Sequence, residues 1–231
     1  MQTHPLKEDL AHRYQALLQK IRELSPPSAP PAELLAVSKG QSPARIRELA
    51  MLGQRRFGEN YAQELWSKAP ELADLDIEWV YIGHLQSNKI RRLVATTTEI
   101  QTLSQWAHAE LIARAASVSH RAPFSVYIEA KVDDQETKAG ATWNEALSLA
   151  DRIQKELPEL RLRGLMAIPP SSYQDALCPK VPPLYRQLRE WADQLGERQL
   201  SLGMSGDLRL ALEAGSNQVR IGRALLGERS A

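Results

Sequence analysis

Cysteine is nearly absent from this sequence: Cys178 stands alone among 231 residues, which excludes an internal disulfide and any Cys-x-x-Cys metal clasp. An excess of charge of one sign is lacking too. Lys and Arg number 29 against 28 Asp and Glu, so the chain as a whole has no electrostatic pull toward nucleic acid or an anionic membrane. A local cluster such as Lys89, Arg91 and Arg92 reads as a solvated helix face. No apolar stretch approaches the roughly 18–20 residues that span a bilayer. Residues Met1 to Asp9 are polar and carry acids, so no secretory signal is expected. The expectation is a soluble, cytoplasmic protein without nucleic-acid or membrane partners.

What is present is an ordinary globular composition, 43% hydrophobic and 25% charged, enough for one large α/β domain or two small ones. Leu6, Leu10, Tyr14, Leu17, Leu18, Ile21 and Leu24 recur at the spacing of three and four that marks one helix face. The proline-rich run from Ser25 stops that helix, because proline cannot continue the hydrogen-bond ladder. Residues 1–33 therefore read as an added helix and linker, and residues 34–231 as the body of a single domain.

In that body, short apolar runs alternate with longer amphipathic ones. Strands are expected at Leu34–Ser38, Arg56–Gly58, Trp79–Gly83, Glu99–Leu103, Phe124–Val132, Leu162–Ile168, Gln199–Met204 and Gln218–Gly222. Ser42-Pro43 has the form of an N-cap with proline at the first helical position, with Gly53 closing the helix. Thr142 with Glu145 matches a capping box, and Gly196 and Gly215 stand where left-handed helix ends are expected. Eight β-then-α units fit a closed parallel (β/α)8 TIM barrel. An open doubly wound sheet is the rival, since Arg56–Gly58 and Glu99–Leu103 are the thinnest of the eight strands. No GxGxxG follows the first strand, and the segment Pro169–Pro183 reads as a loop beside the barrel mouth.

Barrel chemistry gathers at the C-terminal strand ends, which here carry Lys39, Asn60, His84, Lys131, Met166, Ser205 and Gly222. Alternation places Leu35, Val37 and Lys39 on one side of the first strand. If Val37 packs inside the barrel, Lys39 points inward at its rim, where partial desolvation favours the neutral amine that can attack an aldehyde. A lysine whose stem covers apolar surface while its charge reaches water explains the same position. After strands seven and eight, small residues surround Ser205 and Gly222, suiting backbone N–H groups to a phosphate. Ser205 or Asp207 merely capping a helix is the plainer alternative. Arg220 shares a strand face with Gly222 and needs a partner: either a ligand's pyridine nitrogen or an acid such as Glu129.

At these residues the chain resembles the YggS/PROSC-type pyridoxal-phosphate-binding proteins, also called PLP homeostasis proteins. Six blocks in order carry the resemblance, at residues 34–40 (LLAVSKG), 55–64 (RRFGENYAQE), 79–89 (WVYIGHLQSNK), 160–170 (LRLRGLMAIPP), 200–208 (LSLGMSGDL) and 219–222 (VRIG). The resemblance implies a fold-type III barrel like the N-terminal domain of alanine racemase, with pyridoxal 5′-phosphate (PLP) held as a Schiff base on Lys39. It places Asn60 beside the cofactor, Ser205 and Gly222 on the phosphate, Arg220 facing the pyridine ring, and His84 and Met166 near the pocket. Many members carry Ser or Thr directly after VRIG; here Arg223 stands instead, offering the phosphate its backbone N–H or its side-chain charge.

Racemisation needs an acid/base on each face of the α-carbon. In alanine racemases the second is a tyrosine from a further β-rich domain of the partner subunit, and that domain is expected to be missing here. None of the chain's own tyrosines is an evident substitute. The resemblance therefore implies a non-catalytic carrier in vitamin B6 and amino-acid homeostasis, with PLP-dependent apo-enzymes as transient partners; no metal is expected, and the expected lack of the second domain favours a monomer. An amino-acid racemase is the alternative.

Overall fold

A computed structural model describes residues 5–132 and 140–227. Eight parallel strands form a closed barrel in chain order: β1 (Glu33–Val37), β2 (Arg56–Glu59), β3 (Glu78–Tyr81), β4 (Glu99–Leu103), β5 (Phe124–Ala130), β6 (Leu160–Ala167), β7 (Gln199–Ser201) and β8 (Gln218–Ile221). Closure is made by β1 and β8, with Leu34 opposite Val219 and Leu35 opposite Arg220. That pairing excludes the open sheet. Helix α1 (Pro5–Leu24) precedes the barrel. Then come α2 (Pro43–Met51), α3 (Ala62–Glu71), α4 (Ile90–Thr96), α5 (Trp106–Val118), α6 (Trp143–Glu156), α7 (Pro183–Ala192), α8 (Leu208–Glu213) and α9 (Arg223–Leu226), one after each strand.

The helix ends follow the local chemistry of the sequence. Ser42 accepts a hydrogen bond from the Arg45 N–H, with Pro43 at the start of α2, and Gly53 beyond its end has φ +106°. Thr142 and Glu145 form the capping box of α6. The two thin strands exist for different reasons. Phe57 and Gly58 of β2 are buried against the neighbouring strands, and Glu59 is buried because a lysine neutralises it. In β4, alternate residues face the barrel interior, where Glu99 and Gln101 join a polar layer.

Two apolar regions result. The larger fills the space between the barrel wall and the helices and includes Ala36, Phe57, Ile100 and Leu165. The smaller lies within the barrel, where Leu35, Val80 and Ile82 meet with Val37 against them. Val37 thus packs inside, as the alternation of β1 requires. The first helix is more than an attachment: Leu10, Tyr14 and Ile21 are buried in the large core, each such side chain contributing about 1.5–3 kcal/mol. Tyr14 donates to Gln54 Oε1 at 3.3 Å, and α1 packs on α2, α8 and α9.

Candidate cofactor site

With Val37 inside the barrel, Lys39 two residues on faces a cavity of about 760 Å³ at the C-terminal end of the strands. Seven of the eight residues that the resemblance places at the cofactor line it: Lys39, Asn60, Met166, Ser205, Arg220, Gly222 and Arg223; Lys131, the remaining strand-end residue, lines neither this cavity nor its neighbour. These lining residues come from β1, β2, β6, the β7 loop, β8 and the start of α9, so only barrel closure brings them together. His84 is not among them. It lines a smaller neighbouring cavity of about 350 Å³, together with Tyr61, Lys89 and Glu129, and its side chain is exposed. Asn60 borders both cavities.

The expected pair of phosphate-facing helix starts is only half realised. Helix α8 has its first-turn N–H groups at Arg209 and Leu210 taken by the Asp175 carboxylate, at 2.9 and 3.1 Å. Asp207, the residue before α8, accepts from the Tyr185 hydroxyl at 2.6 Å and from the Met204 N–H at 2.7 Å. It therefore shapes the β7 loop and does not cap α8 with its side chain. The exposed residues Ser205 and Gly206 are left at the cavity wall. At the other loop, Gly222 precedes α9, and the N–H groups of Arg223 and Ala224 belong to a first turn without intrahelical acceptors. A Cβ at Gly222 would stand 3.3 Å from the Val37 carbonyl oxygen, so this close approach of strands one and eight suits glycine.

Arg220 does not form the ion pair with Glu129 that was one of its two expected partners; among the described residues no carboxylate lies within 4.0 Å of it. Its Nη1 donates to the Ser201 carbonyl at 2.7 Å and to Ser201 Oγ at 2.8 Å, and Nη2 donates to the Ala167 carbonyl at 2.7 Å. A guanidinium has about five N–H donors, so two remain without a protein acceptor among the described residues. Burial draws the Arg220 pKa down to about 10, against the pull of the more distant Asp207 and Glu129. Burial also raises Glu129, with Arg220 opposing. Asn60 shows a related vacancy in its bonding. Among the described residues its buried Oδ1 has no partner, and its Nδ2 makes one long contact, 3.5 Å to the Ile82 carbonyl.

Sequence reasoning missed several contributors. Tyr173 and Gln174 reach the cavity from the proline-rich loop, which was placed at the mouth without its residues being weighed. None of the tyrosines stands out in the sequence as an acid/base, yet Tyr173 lines the cavity, its ring edge-on to Tyr185 at 5.8 Å. Lys68 and Glu59, buried beneath the Lys39 turn, gave one signal only: charged residues at positions where strand and helix periodicity call for burial.

Fold and site together define a barrel of the alanine racemase N-terminal type, the family description that matches residues 12–230. Within that class the chain belongs to the pyridoxal phosphate homeostasis proteins. It is 41% identical over 204 residues to the Pyridoxal phosphate homeostasis protein of Pseudomonas aeruginosa, covering 85% of this chain and 84% of that one. With its counterpart from Pasteurella multocida it shares 34% identity over 230 residues, 97% of each chain. PipY of Synechococcus elongatus, solved with PLP bound, superposes with a TM-score of 0.80 at 34% identity, covering 94% of this chain and all (100%) of PipY. Alanine racemase from Corynebacterium glutamicum shares the fold at a TM-score of 0.66 and 18% identity; the match covers 95% of this chain and 60% of the racemase. No helix among the described residues is long and apolar enough to cross a membrane.

Proposed function

We propose that the chain holds PLP in this cavity on Lys39 and serves vitamin B6 and amino-acid homeostasis as a non-catalytic carrier. In this reading it works as a cytoplasmic monomer and passes the cofactor transiently to apo-enzymes. The observation that carries the reading is the meeting of Lys39, at the end of β1, with Ser205, Gly222 and Arg223 from the β7 and β8 ends on one cavity of about 760 Å³. That size lies within the roughly 300–1,000 Å³ of small-molecule sites.

The residues present fit the group. PLP supplies an aldehyde that condenses with a primary amine, and Lys39 is the amine on the cavity wall. The Ser205 hydroxyl and the main-chain N–H groups at Gly206 and Arg223 are donors suited to a phosphate. Asn60 has a buried amide oxygen in need of a partner. Arg220 has donors left over for a ring nitrogen. A cation there disfavours protonation of that nitrogen and leaves a weaker electron sink than a carboxylate would, which suits holding the cofactor more than stabilising a carbanion.

The visible spectrum of the purified protein tests this. The expected result is an absorbance band at about 410–430 nm that borohydride bleaches while fixing the cofactor covalently to Lys39, and that is lost in Lys39→Ala. A colourless protein that takes up no PLP would sink the reading. A racemase remains the second reading because Tyr173 lines the same cavity. Exchange of an amino acid's α-proton with deuterated solvent, abolished by both Lys39→Ala and Tyr173→Phe, would overturn the carrier in its favour.

A further inference from the structure

Beneath the Lys39 turn lies a cluster of charges that does not touch the cavity. Lys68, on α3, is 7% exposed at its side chain. Its ammonium donates to three acceptors: the Ser38 carbonyl at 2.9 Å, Glu59 Oε1 at 2.8 Å and Glu64 Oε2 at 2.7 Å. An ammonium has about three donors, so all are used. The same two carboxylates continue to the main chain and side chain around Lys39. Glu59 Oε1 accepts from Ser38 Oγ at 2.8 Å, and Glu64 Oε2 accepts from the Gly40 N–H at 2.8 Å. Ser38 is further held by its own N–H, which donates to the Gly58 carbonyl at 3.0 Å. The residues on either side of Lys39 are thus tied to one buried ion cluster, and Gly40 takes the left-handed conformation, φ +69°, that makes the turn.

We infer that Lys68, Glu59 and Glu64 are positioning residues for Lys39, clamping the turn that carries it and biasing its nitrogen toward positive charge. The inference rests on Lys39 being the amine that holds PLP. The cluster sets two carboxylates against one ammonium beneath the residues that flank Lys39, Lys68 favouring the ionised form of Glu59 against the burial that raises its pKa. A negative neighbour favours the protonated form of a nitrogen. A turn fixed at Ser38 and Gly40 also lowers the entropy lost when the Lys39 side chain is tethered to a ligand. Burying such a cluster is unfavourable unless every charge is bonded. Apolar packing would stabilise the α3 contact without that penalty, so its placement against Ser38 and Gly40 points to a role in the site.

The test uses two variants of the full chain, Glu64→Gln and Lys68→Met. The rate of PLP release and the pH midpoint of the visible band are read for each, with thermal unfolding as the control for folding. Glu64→Gln is the decisive one, because Glu64 is 33% exposed at its side chain and its neutral replacement keeps the shape. PLP release about tenfold faster, the weight of one charge-assisted hydrogen bond, and a band midpoint moved to lower pH are expected with unfolding unchanged. Lys68→Met should release PLP faster still if it folds; if it does not fold, Glu64→Gln alone decides. The other charged or titratable groups on the cavities, Arg220, Arg223, Asp207, Tyr173, Tyr61, Tyr81, Lys89, Glu129 and His84, are the same in wild type and variants. Wild-type release and midpoint in a folded Glu64→Gln protein would overturn the inference while leaving Lys39 as the PLP amine. A wild-type protein without a Lys39-dependent band would instead overturn the parent reading.

Discussion

Two arginines are sunk into the same barrel, one toward each end, and their surroundings are opposite. Arg56 opens β2 at the N-terminal end, where Glu33 and Glu78 open the two neighbouring strands and Glu99 opens β4, one strand further on. It contacts Glu33, lies 2.9 Å from Glu99 and 3.5 Å from Glu78. Burial opposes its charge, but those three acids hold its pKa above the ordinary value. Arg220, near the C-terminal end of β8, meets only carbonyls and a hydroxyl among the described residues, and its pKa falls to about 10. A polar chain joins them through the interior. Glu99 Oε1 accepts from both Arg56 and Gln101, Gln101 bonds Gln218 and Ser201, and Ser201 Oγ accepts from Arg220. Charge neutralised within the protein closes the lower end and serves stability. Charge left without a counter-ion beside a cavity is a demand for an anionic or electron-rich ligand.

The comparison breaks most readily at Arg56. Arg56→Met leaves Glu99, 4% exposed at its side chain, without its ion pair. A stability loss of about 3 kcal/mol is expected, the low end for removing one member of a buried pair, because Arg56 itself keeps 14% exposure. Urea unfolding measures it, and the PLP content of the folded fraction should not change. Arg220→Gln should act the other way round. It strips donors from the Ser201 and Ala167 carbonyls, a loss of about 1–3 kcal/mol, and should shift the cofactor band with the fold intact. An Arg220→Gln protein that unfolds like Arg56→Met, with an unshifted band in whatever folds, would make both arginines structural.

The upper end was legible from the sequence wherever a residue follows directly on a strand. Lys39, Asn60, Ser205 and Gly222 could be placed because strand alternation and the βα order fix what lies at the mouth, and the six motif blocks gave them roles. His84 obeyed the same rule and still fell outside the main cavity. Alternation does not determine how the chain leaves β3, and there it turns through a short 3₁₀ segment, Ser87–Lys89, before α4. Arg220 was seen, but its partners were not, since the Ser201 and Ala167 carbonyls carry no sequence signal and the Ser201 hydroxyl meets it only through the register of β7 and β8. The lower end was read as strand pattern alone. The convergence of Arg56, Glu33, Glu78 and Glu99 depends on strand register, which periodicity leaves open. Asp175 was hidden for a third reason: it caps α8 from 33 positions before that helix begins, and no local motif spans such a gap.

Ser205 sharpens the upper half of the comparison without touching Arg220. Its side chain is exposed at the cavity, so Ser205→Ala should leave unfolding unchanged and weaken PLP binding by about 0.5–1.5 kcal/mol, measured by titration of the apo-protein. No change in affinity would return Ser205 to the role of a loop residue and leave the phosphate to main-chain donors.

The smallest effect belongs to Glu129, and it asks how far Arg220 reaches. Burial raises the Glu129 carboxyl above its ordinary value of 4.5, and Arg220 holds it back without being bonded to it. With a raised folded pKa, the folded state binds the proton more tightly than the unfolded chain. The stability tied to the protonated form is therefore complete below pH 4.5 and is lost as pH rises through the raised value. Glutamine mimics that protonated form, so Glu129→Gln should be slightly more stable than wild type at neutral pH, with the gain shrinking as the pH falls toward 4.5. The gain should be larger in an Arg220→Gln background, where nothing offsets the burial of the carboxylate. A gain that grows on acidification, or one indifferent to Arg220, would mean that the uncompensated charge at the barrel mouth is not felt as far as β5, and that Arg220 acts only on what sits directly above it.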